Sequence, residues 1–172
     1  MRFSLICHPD TPCAAVRSID VELVRPHDGV ARLHYIVSGD IAAVALPART
    51  APARADRLWE HTCFEAFARG AGEGYCEFNF SPSTQWAAYA FDGYRSNMRN
   101  AESAAPHIHI LATAERFDLQ AMIDLGDVVA HRLALSAVIE ETSGAKSYWA
   151  LAHPPGKPDF HHADSFAYEL AP

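Results

Sequence analysis

The sequence has only four cysteines, Cys7, Cys13, Cys63 and Cys76, and none of them form a CxxC pair. Zinc knuckles and thioredoxin-type exchange centres therefore have no starting motif, and reduced thiols are expected in a chain long enough to build a core without disulfides. Long apolar runs are missing too. The apolar stretch at the amino terminus stops at His8 and Pro9, too short for a membrane span or for the hydrophobic part of a secretory signal. The expectation is a cytoplasmic protein with no membrane partner. Basic side chains are outnumbered, with 14 Lys and Arg against 21 Asp and Glu for a formal charge of -7. That balance argues against a broad phosphate-binding surface, and so against nucleic acid as a partner. There is no GxSxG elbow for a serine hydrolase. The Gly-rich GAGEG at 70 to 74 has neither the Lys-Ser/Thr ending of a P-loop nor the dinucleotide fingerprint followed by a helix, so it reads as a turn.

What is present is alternation. A chain of 172 residues, 49% of them apolar, suits one domain over 1–172, and no stretch reads as a linker between two cores. Short runs of two-residue periodicity recur at 2 to 7, 19 to 25, 31 to 37, 42 to 46, 62 to 68, 75 to 80, 86 to 91, 107 to 114, 117 to 123, 132 to 140, 147 to 152 and 166 to 170. HDG at 27 to 29, SGD at 38 to 40, GAGEG, FDG at 91 to 93, SGA at 143 to 145 and PPGKP at 154 to 158 supply the breaks. This predicts an all-β fold of two antiparallel sheets packed face to face. Residues 47 to 57 are rich in Ala, Pro and Arg without an apolar face, and are expected to cross between the sheets and deliver Trp59. ARADRLWEHT and QAMIDLGDVVAHRL each have room for a short helical turn.

The most informative segment is 59 to 83. Cys63, Glu65 and Phe67 alternate with Thr62, Phe64 and Ala66, and Tyr75, Glu77 and Asn79 alternate with Cys76, Phe78 and Phe80. A hairpin centred near Ala71 sets Glu65 across from Glu77, Phe67 from Tyr75 and Cys63 from Asn79. Two like charges so placed call for a bound cation, a shared proton, nearby basic donors or a screening aqueous groove. Asn79 extends the polar face, and a carboxylate beside an amide can hold two hydroxyls of a polyol. Trp59, Trp86, Tyr94 and Trp149 are candidate aromatic contacts for a sugar, and Arg95 can reach Glu65 or Glu77. The turn-rich end of the chain adds His153, Lys157 and Asp159, with His161 and His162 beyond them. His107 and His109 share a strand face that reads as solvated.

Three segments, WEHTCFEAF at 59–67, YCEFNFSPSTQWAAYAFDGYR at 75–95 and YWALAHPPGKPDFHH at 148–162, together resemble bacterial DOMON-like domains related to family 9 carbohydrate-binding modules. The resemblance implies a jelly-roll-like β-sandwich whose relatives bind sugars or haem on one sheet. By matching segment it implicates Trp59, Glu65, Glu77, Asn79, Trp86, Tyr94, Arg95, Trp149, His153, Lys157 and Asp159 as ligand-binding candidates. No catalytic residue is assigned. Haem or a metal stays open as a cofactor, because Met98, Met122 and the histidines do not single out an axial pair. The expected function is non-catalytic binding of a small carbohydrate or sugar-containing metabolite in a groove on one sheet. The alternatives are a non-enzymatic protein-interaction domain and a glycoside-type hydrolase.

Overall fold

The computed structural model describes residues 1–24, 30–124 and 131–170; the expected HDG turn lies outside them. In chain order the strands are β1 (Arg2–Cys7), β2 (Val16–Val24), β3 (Val30–Gly39), β4 (Cys63–Arg69), β5 (Tyr75–Phe80) and β6 (Trp86–Phe91), then β7 (Arg99–Asn100), β8 (His107–Ala112), β9 (Arg116–Asp124), β10 (Arg132–Glu140), β11 (Lys146–Ala150) and β12 (Tyr168–Glu169). They form an antiparallel β-sandwich. One sheet runs β1-β2-β3-β9-β8 and the other β7-β6-β5-β4-β10-β11, with β12 on β10. β1 serves both sheets: Arg2 to Leu5 pair with β2, and Ile6 and Cys7 pair with β11. A strand that changes sheets closes one corner of the sandwich.

Alternation explains the layers. Phe64, Ala66, Phe78, Phe80 and Leu135 of the second sheet pack between the layers against Ile19, Leu33, Tyr35, Phe117 and Leu119 of the first. In the first sheet the other face is wet, so β2 alternates between buried and more exposed positions. In the second sheet both faces are covered. β4 is buried from Cys63 to Ala68, and β10 from Leu133 to Ile139. Its outer cover is the segment 151–167, a strap that lays Phe160 and Phe166 over Phe67, Tyr75, Phe91 and Val138. Two histidines fasten the strap to the amino-terminal strand and its exit: His153 Nε2 meets the Ile6 carbonyl at 2.8 Å, and His8 Nε2 meets the Gly156 carbonyl at 2.9 Å.

Several sequence expectations are corrected. The strand expected at 42 to 46 is a 3-10 turn, Ile41–Ala43, followed by a single bridge from Val44 to Glu141. Pro47, with no N–H to donate, follows this bridge as the chain leaves the first sheet for the second. Gln120 to Asp124 continue β9 rather than turning helical, and 125–130 lie outside the described residues. The ARADRLWEHT segment does contain a helical turn, the 3-10 stretch Leu58–Glu60. All four cysteines are free thiols.

The hairpin register also differs. Glu65 lies opposite Asn79, Phe67 opposite Glu77 and Arg69 opposite Tyr75. The ladder runs on to Arg69 and Tyr75, leaving a tighter turn over 70–74. A shift by an even number of residues keeps every side chain on its expected face. It also removes a direct opposition of like charges, which costs stability, and sets an amide and a ring between the acids.

Candidate functional site

Glu65 and Glu77 remain diagonal neighbours on the outer face of the second sheet, with Cβ atoms expected about 7 Å apart from the pairing geometry. They form part of the floor of a cavity of about 360 Å3 between the sheet and the strap. Val138 of β10, Tyr148 of β11 and Phe91 of β6 complete the sheet side, while Trp59, Arg95, Met98, Pro158, Phe160 and His161 form the walls. The volume falls at the lower end of the roughly 300–1,000 Å3 typical of small-molecule sites.

Both acids are almost fully buried, at 3% and 4% exposure for Glu65 and Glu77. Glu65 Oε2 accepts from the Ser136 hydroxyl at 3.2 Å, and Glu77 Oε1 accepts from Asn79 Nδ2 at 2.7 Å. These hydrogen bonds do not offset desolvation. Burial, and then the neighbouring charge of Glu77, hold the Glu65 carboxyl well above the usual carboxylate range. Burial likewise pushes Glu77 up to about 7, against the opposing pull of Asn79 and Arg95. Both shifts favour the protonated form, and a carboxyl pair that keeps a proton has both donor and acceptor character.

A second group fixes the wall. Asp159 accepts from the Tyr94 hydroxyl at 2.6 Å, from Arg95 Nη2 at 2.9 Å and from the His161 amide at 3.0 Å. Burial pushes the Asp159 carboxyl up, but these bonds from Tyr94 and Arg95 outweigh it and hold it ionised. The Tyr75 hydroxyl accepts from the Arg95 amide at 3.2 Å and contacts His161 Nδ1 at 2.7 Å. Burial and the Arg95 charge push His161 down to about 4, so its ring is neutral at physiological pH. With the Tyr75 hydroxyl proton directed to Nδ1, the ring proton is assigned to Nε2, which faces Glu77 Oε2 at 3.7 Å. Asp159 thus ties strap, wall and sheet together. Replacing it by Ala is expected to speed hydrogen exchange of the strap amides around 157–163 by at least about tenfold while the β4 and β10 amides stay protected. Unchanged strap exchange would show that other contacts hold it.

Of the residues singled out from sequence, Trp59, Glu65, Glu77 and Arg95 line the cavity. Asn79 is fully buried behind Glu77, and Tyr94 and Asp159 clamp the wall. Arg95 does not pair with either glutamate as expected; its partner is Asp159. Trp86 and Trp149 lie in the core between the sheets, Trp86 under the Arg54 guanidinium at 4.5 Å and Trp149 donating to Ser147 Oγ at 3.0 Å. His153 sits with His8 at the β1 corner, and Lys157 is exposed on the strap outside the cavity lining. Sequence reasoning singled out His161 only as a loop donor or acceptor and Met98 only as a possible haem ligand, and it did not select Tyr148, Phe91, Val138, Pro158 or Phe160. Parity could have found two of them: Tyr148 alternates with the inward Trp149, and Phe91 pairs with Tyr75 on the Glu77 face. Among the described residues no group of three or more His, Cys, Asp or Glu is arranged to hold a metal ion.

The fold and site together define an antiparallel β-sandwich with a covered, partly aromatic pocket carrying two buried carboxyls. The fold is similar to that of a candidate carbohydrate-binding protein from Bacteroides uniformis, with a TM-score of 0.65 and 14% identity over 96% of this chain and 84% of that one. Another similar structure is a carbohydrate-binding module of family 9 from Caldicellulosiruptor kristjanssonii in complex with cellotriose, with a TM-score of 0.49 and 8% identity over 86% of this chain and 75% of that one. At such identities the first likeness shows a shared fold. No protein-family model and no curated protein matches the sequence.

Proposed function

We propose that the protein binds a small hydroxylated molecule, a monosaccharide or a sugar-containing metabolite, in the cavity under the strap, without turning it over. The observation that carries this reading is the convergence of two buried carboxyls and the side chains of Trp59, Tyr148 and Phe160 on one small opening. A protonated and an ionised carboxyl side by side can donate to and accept from ring hydroxyls, while aromatic side chains cover the apolar faces of a sugar. The fold shared with the Bacteroides protein supports the reading.

Turnover is not favoured. Glu65 and Glu77 rise from adjacent strands of one face and reach a ligand from the same side, whereas glycoside hydrolysis needs its carboxyls on opposite sides of the scissile bond. A protein-binding role has less to support it. On the open face of the first sheet Arg2 pairs with Asp20 and His34 sits against Glu22 and Asp118, beside the exposed Leu111 and Met122.

The test is calorimetry with a panel of monosaccharides, with amide and side-chain NMR shifts to locate any hit. The shifts are expected at Glu65, Glu77, Trp59 and Tyr148. Trp59→Ala should weaken the hit on the order of tenfold with little change in fold, because Trp59 is only half-buried at the wall. Shifts confined to another surface, or affinity indifferent to Trp59, would overturn the assignment.

A further inference from the structure

Arg95 pulls on the two carboxyls from the cavity wall but pairs with Asp159, and among the described residues no basic side chain hydrogen-bonds either acid. Glu65 Oε2 has the Ser136 hydroxyl, but Oε1, in a side chain 3% exposed on the cavity floor, has no donor among the described residues. Glu77 Oε1 has Asn79, while Oε2 meets only the neutral His161 ring at 3.7 Å, beyond hydrogen-bonding distance. Arg95 is the cation on the wall, and its guanidinium is already matched by Asp159 at 2.9 Å. Of the four remedies that a pair of buried acids calls for, a direct basic donor is missing among the described residues, and exposures of 3% and 4% leave no screening aqueous groove. What remains is protonation when the pocket is empty and a cation when it is filled.

The occupant's chemistry follows from the open atoms. The carboxyl oxygens left without a donor among the described residues are Glu65 Oε1 and Glu77 Oε2, and once ionised both can only accept. A hydroxyl offers one donor, an ammonium three and no acceptor, so the ammonium fits an acceptor pair best. Aromatic side chains around the remaining wall also favour a cation over an anion. A divalent metal fits less well: calcium takes about six to eight oxygen ligands and magnesium a near-octahedral set, and here two carboxyls lie among apolar side chains.

We infer that the ligand carries a protonated primary amine on a hydroxylated ring, as an amino sugar does, and that this ammonium binds Glu65 Oε1 and Glu77 Oε2. The inference rests on the reading of this cavity as a sugar-sized site and narrows it to a class. When the ammonium arrives, both carboxyls are held ionised, and the repulsion between them becomes attraction to a common partner.

The experiment is calorimetry on the full chain at about pH 7 with glucosamine, glucose and N-acetylglucosamine, which keep one ring and differ in bearing an ammonium, a hydroxyl or a neutral amide. Glucosamine is expected to bind on the order of tenfold tighter than either of the others. Glu65→Gln and Glu77→Gln should each reduce that preference to within about twofold, because each leaves the ring contacts while removing a charge-assisted bond. Thermal melts of both variants check that they are folded. If glucose or N-acetylglucosamine binds as well as glucosamine, the ammonium is wrong while the sugar site stands. If none of the three binds, both readings fall. Calcium binding alone, lost in Glu65→Gln, also overturns the inference by naming a different cation.

Discussion

Glu77→Gln is expected to stabilise the protein by about 3 kcal/mol at pH 7 to 8 and by almost nothing near pH 4.5. Burial moves the Glu77 carboxyl from its ordinary value of 4.5 up to about 7 in the fold, and each pKa unit corresponds to about 1.4 kcal/mol. Because the folded value is the higher one, the fold holds this proton more tightly than the unfolded chain does. The stability that the protonated carboxyl gives is complete below about pH 4.5 and is lost progressively as pH rises towards 7. Glutamine has no proton to lose, and its carbonyl can keep the Asn79 bond while its amide faces the cavity. The difference between variant and wild type is the quantity to measure, by urea midpoints across pH. Neither curve alone suffices. His161, held down at about 4 where the unfolded ring titrates near 6.5, gives the opposite slope over much of the same range and masks Glu77 in the wild type. A pH-independent gain, or none, would mean that Glu77 is not a strained acid. The same substitution should weaken an amine-bearing ligand, so here stability and binding pull in opposite directions.

Why the chain keeps such acids could be read only in part from its sequence. Alternation placed Glu65, Glu77 and Asn79 on one face and Phe64, Phe78 and Phe80 on the other, and both assignments hold because side-chain parity survives an even shift of register. The register itself depends on how the turn over 70–74 closes, which residue types alone leave open. Trp86 and Trp149 show a different limit. As large aromatics beside polar neighbours they fit a sugar platform, yet on strands covered on both faces an aromatic can serve either side, and only the sheet pairing decides. Tyr148, next to Trp149, reaches the cavity for that reason. The strap was the hardest part to foresee. PPGKP announced a loop, but Phe160 and His161 reach the second sheet through long-range contacts, including those of Asp159 with Arg95 and of His153 with β1. No local periodicity encodes them.

Phe64→Ala should be the most damaging single change near the site, at about 3–5 kcal/mol of the roughly 5–15 kcal/mol that holds a typical domain together. Phe64 is fully buried on the inner face of β4. Its ring stacks on Phe117 of β9, with centroids 5.7 Å apart, and leans on Tyr35 of β3 at 5.1 Å, so one side chain joins the two sheets. The lost area, the cavity left behind and two aromatic contacts all add to the cost, and β4 has strands on both sides that prevent it from collapsing into the gap. The effect should also reach the pocket. The Tyr35 hydroxyl donates to the Glu65 carbonyl at 2.6 Å, so the ring that Phe64 supports holds the backbone of the residue whose carboxyl lies on the cavity floor. Ligand affinity is therefore expected to fall in Phe64→Ala even under conditions where the variant is fully folded. Phe160→Ala, on the strap, should cost less stability and act chiefly on binding. Denaturant midpoints and calorimetry on the two variants test this ordering. If Phe64→Ala costs less than about 1 kcal/mol, the two sheets are not held together through β4.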